Sequence, residues 1–216
     1  MILYINGDSN SAGTEVDVKQ SWPCLLQQKL RYDLINQAQP GGNNPGILRT
    51  TRDFLNRTET EKMLVIIGWT SWEREEWEYQ GSYYSVNASG KDSVPPELVD
   101  RYKNWVLEQD ESARFKKSKI LHQEIFELHQ TLQDKKIPHL FFNALMPFQH
   151  ETLTDNSSRF NWGTNYLEPY NNDYAYYWFL KQQGYEPTAG NHHREPAQRC
   201  WADFLYKHIQ QQHQII

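Results

Sequence analysis

The segment Met63–Trp69 (Met-Leu-Val-Ile-Ile-Gly-Trp) constrains the fold of this chain more than any other feature. Almost every residue in it is apolar, so neither face of the segment is suited to lie in water. Short runs of this kind are typical of central strands in parallel sheets, which are covered on both faces. The segment therefore predicts a sheet with helices packed on both sides.

Other segments supply the remaining layers. Short apolar runs predict three more strands, at Ile2–Ile5, Tyr32–Ala38 and Pro138–Leu145. Apolar residues with helical spacing predict helices between and after the strands: from Ser21 to Leu30, from Asn44 to Leu55, over Glu97–Gln109, from Leu121 to Leu132, over Asn172–Gln183 and from Glu195 onward. This alternation predicts an α/β fold with three layers, α/β/α, and a mostly parallel sheet with right-handed crossovers.

One long segment shows neither the helical nor the strand spacing of apolar residues. Residues 70–96 are rich in Trp, Tyr, Glu, Ser and Gly, and a loop of that length in a compact domain is usually functional or a small insertion. We therefore expect a single domain over residues 1–216 that carries an aromatic-rich loop insertion around 70–96.

Charge and hydropathy exclude several function classes. The chain has 22 Lys and Arg against 27 Asp and Glu, a net charge of −5, which disfavours binding to nucleic acid or to anionic lipid. No apolar run approaches the roughly 18–20 residues of a membrane span. The N-terminal residues lack the basic region of a signal peptide, and their apolar stretch is too short for one. We therefore expect a cytoplasmic protein with no membrane or nucleic-acid partner.

Ser9 is the first candidate for chemistry. It follows the first predicted strand in Asn6-Gly7-Asp8-Ser9-Asn10, and ligands of open α/β sheets bind beyond the carboxyl ends of the strands. A serine at this edge can attack a carbonyl group if a histidine accepts its proton. The alternative interpretation is a turn serine that caps the next helix.

The partner histidine must come from elsewhere in the chain. His192 and His193 lie in a loop just before the last predicted helix, where either ring can reach the sheet edge. A polar loop pair without a catalytic role is the alternative. His122 and His129 lie seven residues apart on one helix face without a metal-binding pattern, and we interpret them as solvated or half-buried.

Taken together, these motifs resemble the SGNH/GDSL hydrolase family, in order and spacing over most of the chain. The matching blocks are Gly7-Asp8-Ser9, the segment from Asn36 to Gly41, Ile66–Thr70, and His192–Ala197 followed by Trp201-Ala202. The resemblance implies a flavodoxin-like sheet, a serine nucleophile, a histidine base and no cofactor or metal. It also implies an oxyanion hole made by the N–H groups of Ser9 and Gly41 and by a side chain after the third strand.

The chain departs from the family pattern at two points. The family has Gly-x-Asn in its third block, where this chain has Gly68-Trp69-Thr70, so Thr70 takes the place of the asparagine in the oxyanion hole. The family also has an aspartate three residues before the histidine, and this chain has Ala189 or Gly190 there. The spacing to Ala202 favours His192 as the base, and the spacing to Pro196 favours His193.

The residues around these blocks form the expected substrate site. The expected contacts are polar and charged residues next to the blocks and tryptophans that can stack on a sugar ring: Asp8, Asn10, Asn44, Trp69, Ser71, Trp72 and Arg74. The sequence thus predicts a serine hydrolase that acts on a small-molecule ester, such as an O-acetylated carbohydrate. The alternative is a scaffold that has lost catalysis and binds a glycan or a protein partner through its aromatic loop.

Overall fold

A computed structural model of the chain describes residues 1–58, 62–88, 90, 93–153 and 155–213. Its main sheet contains β1 (Ile2–Asn6), β2 (Asp33–Asn36), β3 (Met63–Trp69) and β6 (His139–Asn143), in the order β2-β1-β3-β6. All neighbouring strands in it pair in parallel; Ile5, for example, is opposite Asn36 on one side and Ile66 on the other. The predicted α/β class and parallel sheet are confirmed.

The described part of the chain contains seven α-helices. They are α1 (Ser9–Ala12), α2 (Trp22–Leu30), α3 (Asn44–Arg57), α4 (Val99–Leu107), α5 (Glu111–Asp134), α6 (Tyr176–Gln182) and α7 (Glu195–His213). Short 3₁₀ helices lie at Val18–Gln20, Pro96–Leu98, Glu151–Leu153, Asn156–Ser158 and Asn172–Tyr174. Among the helices that the structure describes, none combines the length and the apolar character that a membrane crossing needs.

Strand residues divide between two cores because side chains alternate across a sheet. On one face, Val65 and Ile67 pack with α3 and α5, and on the other, Leu64 and Ile66 pack with α2, α6 and α7. Every residue of β3 is buried, as the apolar run predicts. This arrangement fixes the carboxyl ends of β1, β2 and β3 side by side at one sheet edge.

Residues 70–96 differ from the expected loop. They contain an antiparallel hairpin of β4 (Glu75–Tyr79) and β5 (Ser82–Val86), joined by a two-residue turn in which Gln80 and Gly81 have φ of 51° and 76°. Two residues with positive φ are what a tight hairpin turn requires. Residues 89, 91 and 92 of the predicted insertion lie outside the described residues.

The interpretation of His122 and His129 as solvated or half-buried is wrong. Both rings are buried on the inner face of α5 among the aromatic side chains of Phe148, Phe160 and Trp162. The seven-residue spacing identified one helix face correctly, but it could not tell the inner face from the outer one.

Candidate active site

Ser9 is the first residue of α1 and follows closely after the end of β1. The backbone approaches its neighbours closely here, since a Cβ atom on Gly7 would lie 3.0 Å from the carbonyl oxygen of Gly68. Asp8 caps α1, and its Oδ1 atom accepts a 2.9 Å hydrogen bond from the N–H of Asn10. Ser9 is the first residue of the helix, where an N–H group has no acceptor within the helix itself.

The loop after β2 packs against the Ser9 loop through two glycines. A Cβ atom on Gly42 would lie 2.9 Å from the carbonyl oxygen of Gly7, so a side chain there would push the two loops apart. Gly41 has a φ of +72°, a left-handed conformation that favours glycine. The position of Gly41 beside Ser9 therefore depends on both glycines.

Ser9 opens into a cavity of about 490 Å³, which we call the Ser9 cavity. The residues that line it come from the Ser9 loop, the β2 and β3 loops, the segment after β6, α6 and the loop before α7: Ser9, Asn10, Gly41, Arg74, Asn87, Leu145, Met146, Tyr177, Trp178, Gly190, Asn191 and His192. The structure thus brings together five residues that the sequence singled out.

His192 and His193 occupy different environments. His192 lines the Ser9 cavity, whereas His193 is fully buried against the rings of Tyr176 and Tyr177. Burial lowers the pKa of His193 below its usual value. Of the two candidates for the base, His192 is the one that shares a cavity with Ser9.

Thr70, for which an oxyanion contact is predicted, does not line the Ser9 cavity. Its side chain is fully buried, and its hydroxyl donates a 2.7 Å hydrogen bond to Asp8 Oδ2. Its main-chain N–H donates to Asn44 Oδ1 at 2.9 Å. Both donors of Thr70 are therefore committed within the protein.

Several predicted substrate contacts are interior residues. Asn44 and Ser71 are buried outside the cavity lining, and Asn44 Nδ2 donates to the carbonyl oxygen of Thr70. The Trp69 ring packs edge-on against Phe141, and the Trp72 ring stacks on Phe148 at 4.6 Å. Both tryptophans are buried in the core and do not line the Ser9 cavity, where the sequence predicts that they stack on a ligand.

Two aromatic residues that sequence reasoning did not select take their place at the cavity. Tyr177 and Trp178 line it from α6, and Trp178 is 37% exposed. Three aromatic residues, Tyr-Tyr-Trp, follow one another at the start of α6. One face of a helix cannot bury three consecutive residues, so this run was a sequence signal that at least one of the rings is exposed.

Charge is balanced around the Ser9 loop. The buried Asp8 carboxylate lies 3.8 Å from Arg74 Nη1, and the same Arg74 atom donates a 2.9 Å hydrogen bond to the carbonyl oxygen of Gly42. Arg74 thereby links the Ser9 loop to the glycine loop. Asp8 supports the site from inside the protein and does not line the cavity.

His192 has a charged neighbour that the sequence did not indicate. Its Nδ1 atom lies 3.3 Å from Oε1 of Glu15, which comes from the turn after α1. No spacing rule connects residues so far apart in the chain, so only the fold could reveal this pair.

The remaining cavities carry less chemistry. A larger cavity, of about 640 Å³, lies beside Gly42 and is lined mainly by polar residues, including Asn6, Arg49 and Tyr83, and none of its described lining residues is a histidine. Within the described ranges, no group of three His, Cys, Asp or Glu residues is placed to hold a metal ion. Size alone favours the larger cavity, but the pairing of a serine with a histidine favours the Ser9 cavity.

Comparison with known proteins identifies relatives of the fold. No family model matches the chain, and a search of curated proteins found no match either. Among solved structures, the psychrotrophic esterase EstA from Pseudoalteromonas sp. is similar, with a TM-score of 0.54 and 14% identity over 97% of each chain. TesA is similar with a TM-score of 0.51 and 16% identity, over 97% of this chain and 98% of TesA. The chain therefore shares the α/β fold of these two proteins.

Proposed function

We propose that this chain, which shares its fold with EstA and TesA, is a serine-dependent hydrolase of small-molecule esters. One observation carries the proposal: Ser9, Gly41 and His192 come from three separate loops and line the same cavity. These are the residues to which the resemblance to SGNH/GDSL hydrolases assigns the nucleophile, an oxyanion donor and the base.

In the first step, the Ser9 hydroxyl oxygen attacks the acyl carbon of the ester while the His192 imidazole accepts the hydroxyl proton. The carbonyl oxygen takes the electron pair of the broken π bond and becomes an oxyanion. His192 then gives the proton to the departing alkoxide, which leaves an acyl group on Ser9. Water attacks this acyl-enzyme with His192 again as the base, releasing the acid and restoring Ser9.

The oxyanion is held by the main-chain N–H groups of Ser9 and Gly41. Donors fixed by the fold stabilise developing charge without reorganisation, and loss of one typically costs about 10²–10³ in rate. Arg74 also lines the cavity, and its guanidinium has donors beyond the one used on Gly42, while Asp8 balances part of its positive charge.

The cavity walls indicate the class of substrate. Leu145 and Met146 offer apolar contacts for a short acyl group, and Tyr177 and Trp178 offer aromatic surface. Aromatic rings present apolar faces with polar tips, a combination that suits a sugar ring. An O-acetylated carbohydrate therefore fits both parts of the cavity, and the mechanism requires no cofactor.

The alternative is a binding scaffold without catalysis, which would hold its ligand through the aromatic loop. The tryptophans in and next to that loop, Trp69, Trp72 and Trp77, are buried, which speaks against this binding surface. The missing aspartate before the histidine and the occupied donors of Thr70 still favour the alternative, because each removes an expected catalytic contact.

Turnover of aryl acetates and of acetylated sugars by the intact chain and by Ser9→Ala tests the proposal. We expect Ser9→Ala to abolish turnover while substrate still binds, because the hydroxyl acts mainly in the transition state. Ser112→Ala, at an exposed serine on α5, is the matched control and should retain full activity. Equal turnover in Ser9→Ala would contradict the proposal, and ligand binding without any turnover would establish the scaffold alternative.

A further inference from the structure

We propose that Glu15 is the carboxylate that positions His192, in place of the aspartate that is missing three residues before it. This inference rests on the proposed function and deepens it, because it completes a Ser9–His192–Glu15 arrangement. The acid would then come from the segment after the nucleophile helix and not from the histidine loop.

The contact between Glu15 and His192 is specific at the level of atoms. Glu15 Oε1 lies 3.3 Å from His192 Nδ1, and Glu15 Oε2 accepts a hydrogen bond from the Thr188 hydroxyl. The Nδ1 atom is shielded from solvent and makes no hydrogen bond within the described residues, so its 3.3 Å contact with Glu15 is a close approach of a carboxylate to an unpaired ring nitrogen. The carboxylate therefore uses one oxygen to hold the histidine loop and presents the other to the ring.

The histidine loop is built to keep this contact. The Thr188 N–H donates to the His192 carbonyl oxygen at 2.7 Å, and the Asn191 N–H donates to the Thr188 carbonyl oxygen at 2.9 Å, which closes the loop on itself. A Cβ atom on Gly190 would overlap the Glu15 carboxylate, so a larger residue there would displace this carboxylate from its place beside His192. The loop and the carboxylate are thus fitted to each other.

A carboxylate in this place can perform both tasks of a triad acid. A carboxylate at Nδ1 fixes the tautomer that carries the proton on Nδ1, which leaves the Nε2 lone pair free to accept the Ser9 proton. The same charge stabilises the imidazolium that forms during the reaction. The hydrogen bond from Thr188 and then the contact with His192 lower the pKa of the Glu15 carboxyl, which keeps it ionised for this task.

The kinetic test compares Glu15→Gln, Glu15→Asp and the control Glu186→Gln, which removes an exposed carboxylate from the same loop region. We expect Glu15→Gln to lower kcat for an aryl acetate by on the order of tenfold or more, less than the roughly 10⁴-fold loss at a fully buried triad acid, because Glu15 is partly exposed. KM should stay constant, Glu15→Asp should recover part of the loss, and Glu186→Gln should resemble the intact chain.

A spectroscopic test separates this inference from the proposed function. NMR of the chain labelled with ¹⁵N-histidine reads the tautomer of His192 whether or not the protein turns over ester. We expect the Nδ1–H tautomer in the intact chain and in Glu186→Gln, and a mixture of tautomers in Glu15→Gln. An unchanged tautomer together with an unchanged kcat in Glu15→Gln would overturn the role of Glu15 even if Ser9 proves to be the nucleophile.

Discussion

The Thr70 hydroxyl donates a 2.7 Å hydrogen bond to Asp8 Oδ2, and this contact joins the end of β3 to the residue before Ser9. Both side chains are fully buried. Thr70 therefore stabilises the loop that carries Ser9, and both of its hydrogen-bond donors are used within the protein.

Thr70→Val should destabilise the protein because it leaves the Asp8 carboxylate without one of its donors. A hydrogen bond to a charged group contributes about 1.5–3 kcal/mol, and we expect a loss of this size in the free energy of unfolding. Urea denaturation measures it. Thr70→Ser keeps the hydroxyl and is the matched control; if both variants lose the same stability, the hydrogen bond is not the cause.

Trp178→Ala should weaken substrate binding without affecting the fold, because Trp178 is exposed at the cavity and its side chain is not part of the core. Loss of an aromatic contact worth about 0.5–1.5 kcal/mol predicts a roughly threefold to tenfold increase in KM for an acetylated sugar. Steady-state kinetics provides the measurement, and Trp178→Phe should retain most of the affinity. An unchanged KM would exclude Trp178 from the substrate site.

Trp72→Ala, in contrast, should lower the stability of the protein and leave ligand affinity unchanged. Its ring stacks on Phe148, and its indole N–H donates to the carbonyl oxygen of Pro147 at 2.8 Å. Truncation of a buried tryptophan of this kind costs about 3–5 kcal/mol, and we expect that loss in thermal or urea unfolding. A variant that stays equally stable but loses ligand affinity would show that Trp72 faces the ligand after all.

Buried histidines predict sensitivity of the fold to acid. Burial lowers the pKa of His122 and of His139 from 6.5 to about 4. Since the unfolded chain binds these protons more readily, stability is fully present above pH 6.5 and is lost as the pH falls from 6.5 towards 4. One pKa unit corresponds to about 1.4 kcal/mol, so each ring is worth on the order of 3 kcal/mol.

Urea midpoints measured between pH 7.5 and pH 4.5 test this dependence. His139→Gln removes one titrating ring, and its midpoint should change less over that range than the midpoint of the intact chain. Equal slopes for the two proteins would show that His139 does not contribute to the loss.

The comparison between sequence and structure shows which features local patterns encode. The apolar run Met63–Trp69 identified β3 with the bounds that the structure has, because a strand covered on both faces is apolar along its whole length. The predicted strands also placed Ser9 and Gly41 at one edge, since the carboxyl ends of parallel strands meet there, whereas His192 was selected through the family resemblance. Only the strand assignments follow from residues that are close in sequence.

Features set by long-range packing were not accessible in this way. The direction in which the rings of Trp69 and Trp72 point depends on Phe141 and Phe148, which lie on distant segments. The hairpin of β4 and β5 did leave a local signal, the Gln80-Gly81 turn between aromatic runs, but its mixed polarity masked the strand period. The pair of Glu15 and His192 left no signal in the sequence.

Covalent trapping tests the central claim most directly. A fluorophosphonate reacts with an activated serine and not with an ordinary one, so the intact mass of the treated protein reports on Ser9 without any knowledge of the natural substrate. We predict a single adduct located on Ser9, slow labelling in His192→Ala and none in Ser9→Ala. Absence of labelling in the intact chain, or an adduct that persists in Ser9→Ala, would contradict the assignment of Ser9 as a catalytic nucleophile.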